Sequence, residues 1–245
     1  ITGQGNQVNL EGNYKSTDSS FDMNLDITKL NLKSIQGFTL NNITESTGFL
    51  TGDFKITGNK TQPKVIGELQ FNEIGFKVKQ LNATFKSLND KISFTPTAIL
   101  FDNFIIKDER DNDLAINGKI DSENFSNFGF DLALNADDFK AVNSKAKDND
   151  LYYGELFLDN HLKISGNLDN PVVEGTIKIN KDTKFTIVLP QSDPSIADRE
   201  GIVEFIDQDN PQLTETVVLE QLNSEMGIRG INASVNIEID KEAEI

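Results

Sequence analysis

The sequence predicts an all-β protein built on a long antiparallel sheet with little helix, and three observations support this prediction. Apolar and polar residues alternate with period two over many short stretches, such as 128–135 and 235–240. Turn-forming residues recur every ten residues or so between these stretches. A cassette of strand, turn and strand also occurs twice, which is typical of an array of β units.

The alternating stretches predict strands with one apolar face and one polar face. Stretches 21–27 and 76–86 follow the same pattern, with Lys, Asn, Asp or Thr at the polar positions. Such alternation is typical of antiparallel sheets, whereas buried parallel strands read as unbroken apolar runs. We count about 17 strand candidates in this way.

Turns, loops and helix are predicted from local composition. Turn signals lie at 11–13, 57–59, 88–90, 111–113, 117–118 and 159–160. The polar stretch 140–150 reads as a linker and 191–198 as a loop. A helix or loop is predicted at 213–226, where Val218, Leu222 and Met226 share a helical face.

The two cassettes occupy residues 54–71 and 162–179. Gly58, Pro63 and Gly67 of the first recur at the same spacing as Gly166, Pro171 and Gly175 of the second. No change of composition marks a domain boundary between them. We therefore expect residues 1–245 to form one continuous repetitive β segment, and expect that segment to be a fragment of a longer chain.

Composition excludes several classes of function. The net charge is −16, which disfavours nucleic acid as a partner because phosphates attract clustered Lys and Arg. There are no cysteines, so disulfides and thiolate metal sites are excluded. No run of about 18 apolar residues is present that would cross a bilayer as a helix. With 17 Phe, 3 Tyr and no Trp, the aromatic set suits a dry apolar face.

No catalytic, metal-binding or cofactor-binding motif is found. The single histidine, His161, lies in a turn-like Asp-Asn-His stretch and is expected at the surface. The acidic stretch 108–113 lacks the order of carboxylates that a calcium loop needs, and we expect a solvated hairpin tip there. The sequence therefore predicts neither an enzyme nor a cofactor. Any function is expected to depend on hydrophobic contacts.

The cassette Gly-Asn-(x)4-Pro-x-Val-x-Gly, seen at 58–67 and 166–175, resembles the C-terminal region of TamB, the translocation and assembly module subunit of the AsmA-like family. Stretches 92–108, 114–120, 153–156, 183–190, 201–205 and 235–245 fit the same pattern. The resemblance covers most of the chain from about residue 45 onward. Each motif is weak by itself, and their order carries the specificity.

The resemblance implies a long antiparallel sheet curved into a U-shaped trough, or β-taco, with an apolar interior. It further implies a protein in the periplasm of a Gram-negative bacterium, bridging inner and outer membranes and conducting phospholipid acyl chains. Implied partners are phospholipid, an outer-membrane barrel of the TamA/BamA type, and the inner membrane, through an N-terminal anchor absent from this segment.

From the alternation we predict which residues line the lipid groove. The predicted lining is Leu69, Phe71, Phe76, Val78, Phe85, Phe94, Phe104, Phe130, Leu132, Leu134, Leu156, Leu158, Ile164, Ile177, Ile179, Phe185 and Ile187. Alternation alone favours a closed sandwich or barrel, in which these residues are ordinary core, and the resemblance reverses that preference. A second function is a scaffold for outer-membrane protein assembly by strand pairing at a sheet edge. A carbohydrate-active β-helix fits poorly, because regular short coils are lacking.

Overall fold

The computed structural model describes residues 2–40, 42–87, 89–123, 127–188 and 230–245, and most of them belong to a single 14-stranded sheet. The strands are β1 (Thr2–Gly3), β2 (Asn6–Lys15), β3 (Ser20–Asn31), β4 (Ile43–Asn59), β5 (Pro63–Val78), β6 (Ala83–Ser87), β7 (Lys91–Phe94), β8 (Ala98–Lys107), β9 (Asp113–Asp121), β10 (Gly129–Ser144), β11 (Tyr152–Asn167), β12 (Pro171–Ile179), β13 (Lys184–Ile187) and β14 (Asn232–Ile239). One helical turn, α1 (Leu32–Ile35), leads into a 3₁₀ turn (Gln36–Thr39) between β3 and β4. The predicted all-β class is confirmed.

The sheet is a meander in which most neighbouring strands are also consecutive in sequence. Its order is β1-β2-β3-β4-β5-β6-β8-β9-β10-β11-β12-β14. β6 and β7 lie end to end along β5, and β12 and β13 lie end to end along β11. Every pairing between the named strands is antiparallel except that of β12 with β14, which is parallel. A parallel pair needs a crossover connection, which periodicity within a strand does not reveal.

The two cassettes form hairpins of the same geometry. Gly58 pairs with Pro63 in the first hairpin, and Gly166 pairs with Pro171 in the second. In the first turn the side chain of Asn59 accepts the backbone N–H of Gln62 at 3.0 Å. Asn167 accepts the corresponding N–H of Asn170 at the same distance. The Asn of each Gly-Asn pair thus closes its own turn, as Asx turns do.

The pairing of neighbouring strands aligns apolar residues and glycines into rows that cross the sheet. One row runs through Val8, Ile27, Gly52, Leu69, Ile92, Phe101, Gly118, Leu132, Ile164, Val173 and Ala233. Because paired residues point to the same side of a sheet, this row belongs to one surface from β2 to β14. We call that surface the apolar face and the opposite one the polar face.

Glycines in these rows let aromatic side chains from next-neighbour strands meet. Phe54 on β4 and Phe94 on β7 flank Gly67 on β5, and their ring centroids lie 5.3 Å apart. In a flat sheet, positions two strands apart are separated by about 9.6 Å. A Cβ at Gly67 would lie 2.7 Å from the Phe54 ring. The glycine therefore makes room for the aromatic contact above it.

The apolar face closes on itself near the middle of the sheet. Phe85 on β6 stacks on Phe139 of β10, with ring centroids 5.6 Å apart and planes at 4°. β8 and β9 lie between these strands, a span of about 14 Å in a flat sheet. The Asn143 backbone N–H also donates to the Leu81 carbonyl at 3.0 Å. The sheet therefore curls toward its apolar face here, which is compatible with a trough.

Several predicted turns and loops prove to be strand. Residues 11–13 lie inside β2, 117–118 inside β9 and 159–160 inside β11. Gly118 illustrates the reason, because its φ is +119° and a Cβ there would lie 2.1 Å from the Asp131 carbonyl oxygen. The glycine is needed because the neighbouring strand approaches closely at this position, and it does not form a turn. The predicted linker 140–150 is wrong in its first part, since β10 continues to Ser144.

The other turn predictions, at 57–59 and 111–113, fall where strands end or begin, and residues 89 and 90 of the turn predicted at 88–90 lie between β6 and β7, while residue 88 lies outside the described residues. Stretch 76–86, read as one strand with a slip, is a hairpin of β5 and β6. The predicted loop 191–198 and the helix or loop 213–226 lie outside the described residues. In the part of the chain that the structure describes, the length and hydropathy that a membrane-spanning helix needs are not found together.

Candidate functional site

The apolar face is the candidate site, and the structure places the predicted lining residues on it. Leu69, Phe94, Phe130, Leu132, Leu134, Ile164 and Ile177 lie in the registered rows, together with Phe71, Leu158 and Ile179. Phe76, Val78, Phe85 and Phe104 lie at or beside the closed middle. Leu156 lies on the same side of β11 as Leu158, and Phe185 and Ile187 pair with Gly154 and Tyr152 of that side. Whether these residues contact lipid stays a prediction.

Burial along this face varies with position in the sheet. Phe85 and Phe139 in the middle are buried. At the two ends, Leu10 on β2 is 56% exposed and Ile237 on β14 is 60% exposed. The face is thus covered in the middle and as far as Ile27 on β3 and Phe54 on β4, and large apolar side chains are exposed on β2 and β14.

A cavity of about 320 Å³ lies where the apolar face closes. Its walls come from β5, β6, β8, β9, β10 and β11, and from the turn after β5. Its lining residues are Phe76, Val78, Leu81, Phe85, Ile106, Leu114, Phe139, Ala141, Leu158 and Asn160. Binding sites for small apolar molecules have such volumes and such linings.

Asn160 is the exception in this lining. It pairs with Ala136 and Ile177 within the apolar rows and is 7% exposed. Its Oδ1 is buried and has no hydrogen-bond partner. An unsatisfied buried acceptor costs about 1–3 kcal/mol. The structure therefore keeps a polar group inside an otherwise apolar cavity at some expense of stability.

The polar face carries cross-strand ion pairs. Lys55 pairs with Asp22, and Lys91 Nζ lies 2.9 Å from Glu68 Oε1. The hydrogen bond and charge of Lys91 lower the pKa of Glu68. These groups are exposed, so each pair contributes little stability and serves mainly to keep this face wet.

Behind the closed middle, the polar face contains a buried network centred on Asp108. Its carboxylate accepts backbone N–H groups of Arg110, Asn112 and Lys140 at 2.7, 2.9 and 2.7 Å. Asp108 is 1% exposed, so the prediction of a solvated hairpin tip is wrong for this residue. Neighbouring Asp111 is exposed as expected. The turn folds back onto β10 because its N–H groups converge on one carboxylate.

The same network covers an aromatic ring on the polar side of β11. Phe157 is fully buried, the Arg110 guanidinium lies 3.9 Å from its ring centroid, and Lys140 Nζ lies at 5.7 Å. Lys140 Nζ also reaches Glu155 at 2.6 Å. This hydrogen bond outweighs partial burial and lowers the pKa of Glu155. The network clamps β8, β10 and β11 from outside.

Some residues of the apolar face escaped the predicted lining although they carry the same signal. Phe54, Leu162 and Phe139 alternate with polar neighbours as most of the predicted residues do, whereas Phe101 and Ile116 each have one apolar neighbour. Nothing in the sequence indicates that Asn160 lies on the apolar face, because an Asn between Asp and His is typical of a turn. His161 lies on the polar side of β11 and is exposed, as expected, but within a strand. Within the described part of the chain, no group of His, Asp and Glu is arranged to hold a metal ion.

Comparison with protein families yields one match. The family model for the TamB C-terminal domain matches residues 102–245, which is more than half of the chain. The matched part begins within β8 and includes β9 to β14. Comparisons with curated proteins and with solved structures yield no match.

Proposed function

Because the chain belongs to the TamB C-terminal domain family, we propose that it conducts phospholipid acyl chains along its apolar face between inner and outer membranes. Family membership associates the chain with the Gram-negative cell envelope, with TamA, and with the assembly of envelope lipids or outer-membrane proteins. The finer role, passage of lipid tails, is our proposal, and it requires no catalytic chemistry or cofactor.

The row from Val8 to Ala233 is the observation on which the proposal depends. It crosses the paired strands from β2 to β14 without one polar side chain. Acyl chains suit such a surface because they need no hydrogen bonds and no fixed register. Covering it releases roughly 25 cal/mol per Å² of apolar area, while the headgroup stays in water.

Exposed ends of the face favour this role over an ordinary core. A closed sandwich would bury Leu10 and Ile237, which are more than half exposed. Large contiguous apolar patches on a protein mark sites of interaction with a partner or a lipid. The face therefore extends beyond its buried part to exposed apolar side chains on β2 and β14, as a path for a long chain requires.

The test measures phospholipid bound to the purified chain by native mass spectrometry. Ile237→Asp places a charge on the apolar face, and Asn236→Asp places the same charge one residue away on the polar face. Both positions are exposed, so neither change should unfold the sheet. We expect Ile237→Asp to lower bound lipid on the order of tenfold, because a covering acyl chain would desolvate the carboxylate without a partner. Equal lipid in both variants, or no lipid in the wild type, would refute the proposal.

A second pair of variants tests the other end of the sheet. Leu10→Asp lies on the apolar face of β2 and Asn9→Asp on its polar face, and both residues are exposed. A conduit needs the whole face, so Leu10→Asp should lower lipid as Ile237→Asp does. A loss confined to one end would indicate a local lipid site and contradict conduction along the sheet.

A scaffold for outer-membrane protein assembly is the second candidate, favoured by the free edge of β14. Among the described strands, β14 pairs only with β12. An exposed edge can pair with a partner strand. In a parallel strand the N–H groups of neighbouring residues point to opposite sides, so one of the two variants Asn236→Pro and Ile237→Pro removes an outward donor and the other removes a donor to β12. Loss of barrel-protein binding with unchanged lipid content would favour the scaffold.

A further inference from the structure

We propose that the cavity at the closed middle is a binding site for an alkyl chain that carries a hydroxyl group, and that the Asn160 side-chain amide hydrogen-bonds this hydroxyl. The proposal deepens the proposed function and rests on it, because it names a class of chain that the apolar face would hold at one position.

The size and lining of the cavity fit a single alkyl chain. Its volume of about 320 Å³ corresponds to roughly ten groups the size of a water molecule, each of about 30 Å³. Phe76, Phe85 and Phe139 contribute aromatic walls, and Ile106 and Leu114 contribute aliphatic ones. A medium-length alkyl chain fills such a space, whereas a phospholipid headgroup is too polar for it.

Asn160 supplies the only polar side chain among the lining residues. Its neighbours in the row, Ala136 and Ile177, offer no side-chain donor to its Oδ1. A buried water typically needs two to four polar partners, and a single amide satisfies such a water poorly. The unmet hydrogen bond is therefore better completed by a ligand that fills the apolar space at the same time.

A hydroxyl group is the functional group that fits best. It donates one hydrogen bond and accepts others, so it can satisfy the buried Oδ1 of Asn160. An ionised carboxylate cannot donate, and no cationic side chain lines the cavity to compensate its charge. A plain hydrocarbon would fill the space and leave Oδ1 unpaired. Hydroxylated acyl chains and alkyl alcohols therefore form the predicted class.

The test compares octanol with its isomer heptyl methyl ether in calorimetric titrations of the purified, lipid-stripped chain. The two probes have the same atoms, but only octanol donates a hydrogen bond. We expect octanol to bind wild type about fivefold more tightly than the ether, in line with one net hydrogen bond. In Asn160→Leu this preference should disappear while the ether still binds. Asn135→Leu, an equivalent change on the polar face of β10, should retain the preference.

Equal binding of the two probes to wild type, or a preference that survives in Asn160→Leu, would overturn the proposal. If Asn160→Leu fails to fold, the side-chain amide resonances of Asn160 provide the readout in wild type. Octanol should shift them more than the ether does, because only octanol adds a hydrogen bond to the amide, and equal shifts would contradict the proposal. The lipid content of the Ile237→Asp and Asn236→Asp pair is measured separately. Phospholipid binding without the alcohol preference would refute this inference alone, and loss of both would refute the proposed function as well.

Discussion

The middle and the ends of the sheet use the same sequence pattern for different purposes. Phe139 in the middle and Ile237 on β14 both occupy apolar positions of alternating strands, yet Phe139 is 4% exposed and Ile237 60%. The difference arises because the sheet curls between β6 and β10 and remains uncovered at β14. Alternation thus decides which face a side chain joins, and curvature decides whether it becomes core or open surface.

The largest expected effect separates these two regions directly. Phe139→Ala should destabilise the protein by about 3–5 kcal/mol, because it removes the ring stacked on Phe85 and leaves a cavity. Leu10→Ala should cost less than about 1 kcal/mol, since most of its side chain already faces solvent. Urea unfolding of both variants measures the difference. Similar losses of unfolding free energy in the two variants would show that the ends are as buried as the middle, and would contradict the difference between the two regions.

The next prediction concerns the support of the closed middle from the polar side. Asp108→Ala should destabilise by about 3 kcal/mol, because the buried N–H groups of Arg110, Asn112 and Lys140 lose their acceptor. Asp111→Ala, an exposed neighbour in the same turn, is the control and should cost no more than about 1 kcal/mol, because it loses an exposed ion pair with Lys86 and has a left-handed backbone with φ of +70°. Thermal unfolding distinguishes them. A neutral Asp108→Ala would mean that the turn does not clamp β10.

Acid should weaken the clamp before it affects the apolar face. The pKa of Glu155 is lowered by its hydrogen bond to Lys140, against a smaller opposing effect of partial burial. A carboxyl whose pKa is lower in the folded state contributes stability above its unfolded value of 4.5, and loses it as pH falls through the folded value. Stability should therefore fall below about pH 4.5.

Lys140→Met removes this contribution, so the urea midpoint should depend less on pH between 7 and 3 than it does in wild type. Lys163→Met is the control, because the exposed pair of Lys163 and Asp131 is separated by 3.8 Å. If both variants kept the pH dependence of wild type, the link between Glu155 and Lys140 would not contribute to stability.

The smallest expected change in stability comes from the polar face of β3, β4 and β5. Asp26, Asp53 and Glu68 stand directly opposite one another on β3, β4 and β5, and like charges in such positions repel. Asp53→Lys should stabilise the protein by about 0.2–1 kcal/mol, and less at high salt. Asp53→Asn should give a smaller gain. Loss of stability in Asp53→Lys would show that the acidic row is tolerated for another reason.

Period-two alternation predicts most of the strands and their apolar face, but it misses the turn between β5 and β6. Leu132 and Ile164, chosen from alternation alone, pair with one another in the structure. The turns predicted at Gly12 and Gly118 fail because a glycine also serves where two strands approach closely, and sequence does not separate these uses. The stacking of Phe85 on Phe139 and the burial of Asp108 and Asn160 depend on how distant strands curl together. No local pattern reports that curvature.

Photocrosslinking to bound lipid tests the central claim, that one continuous face holds acyl chains. A photoreactive amino acid is placed at Leu132 and Ile164 on the apolar face, and at Asp131 and Lys163 on the polar face of the same strands. We predict phospholipid adducts at Leu132 and Ile164, and none at Asp131 and Lys163. Adducts of equal yield on both faces, or none on the apolar face of a lipid-loaded chain, would contradict the account.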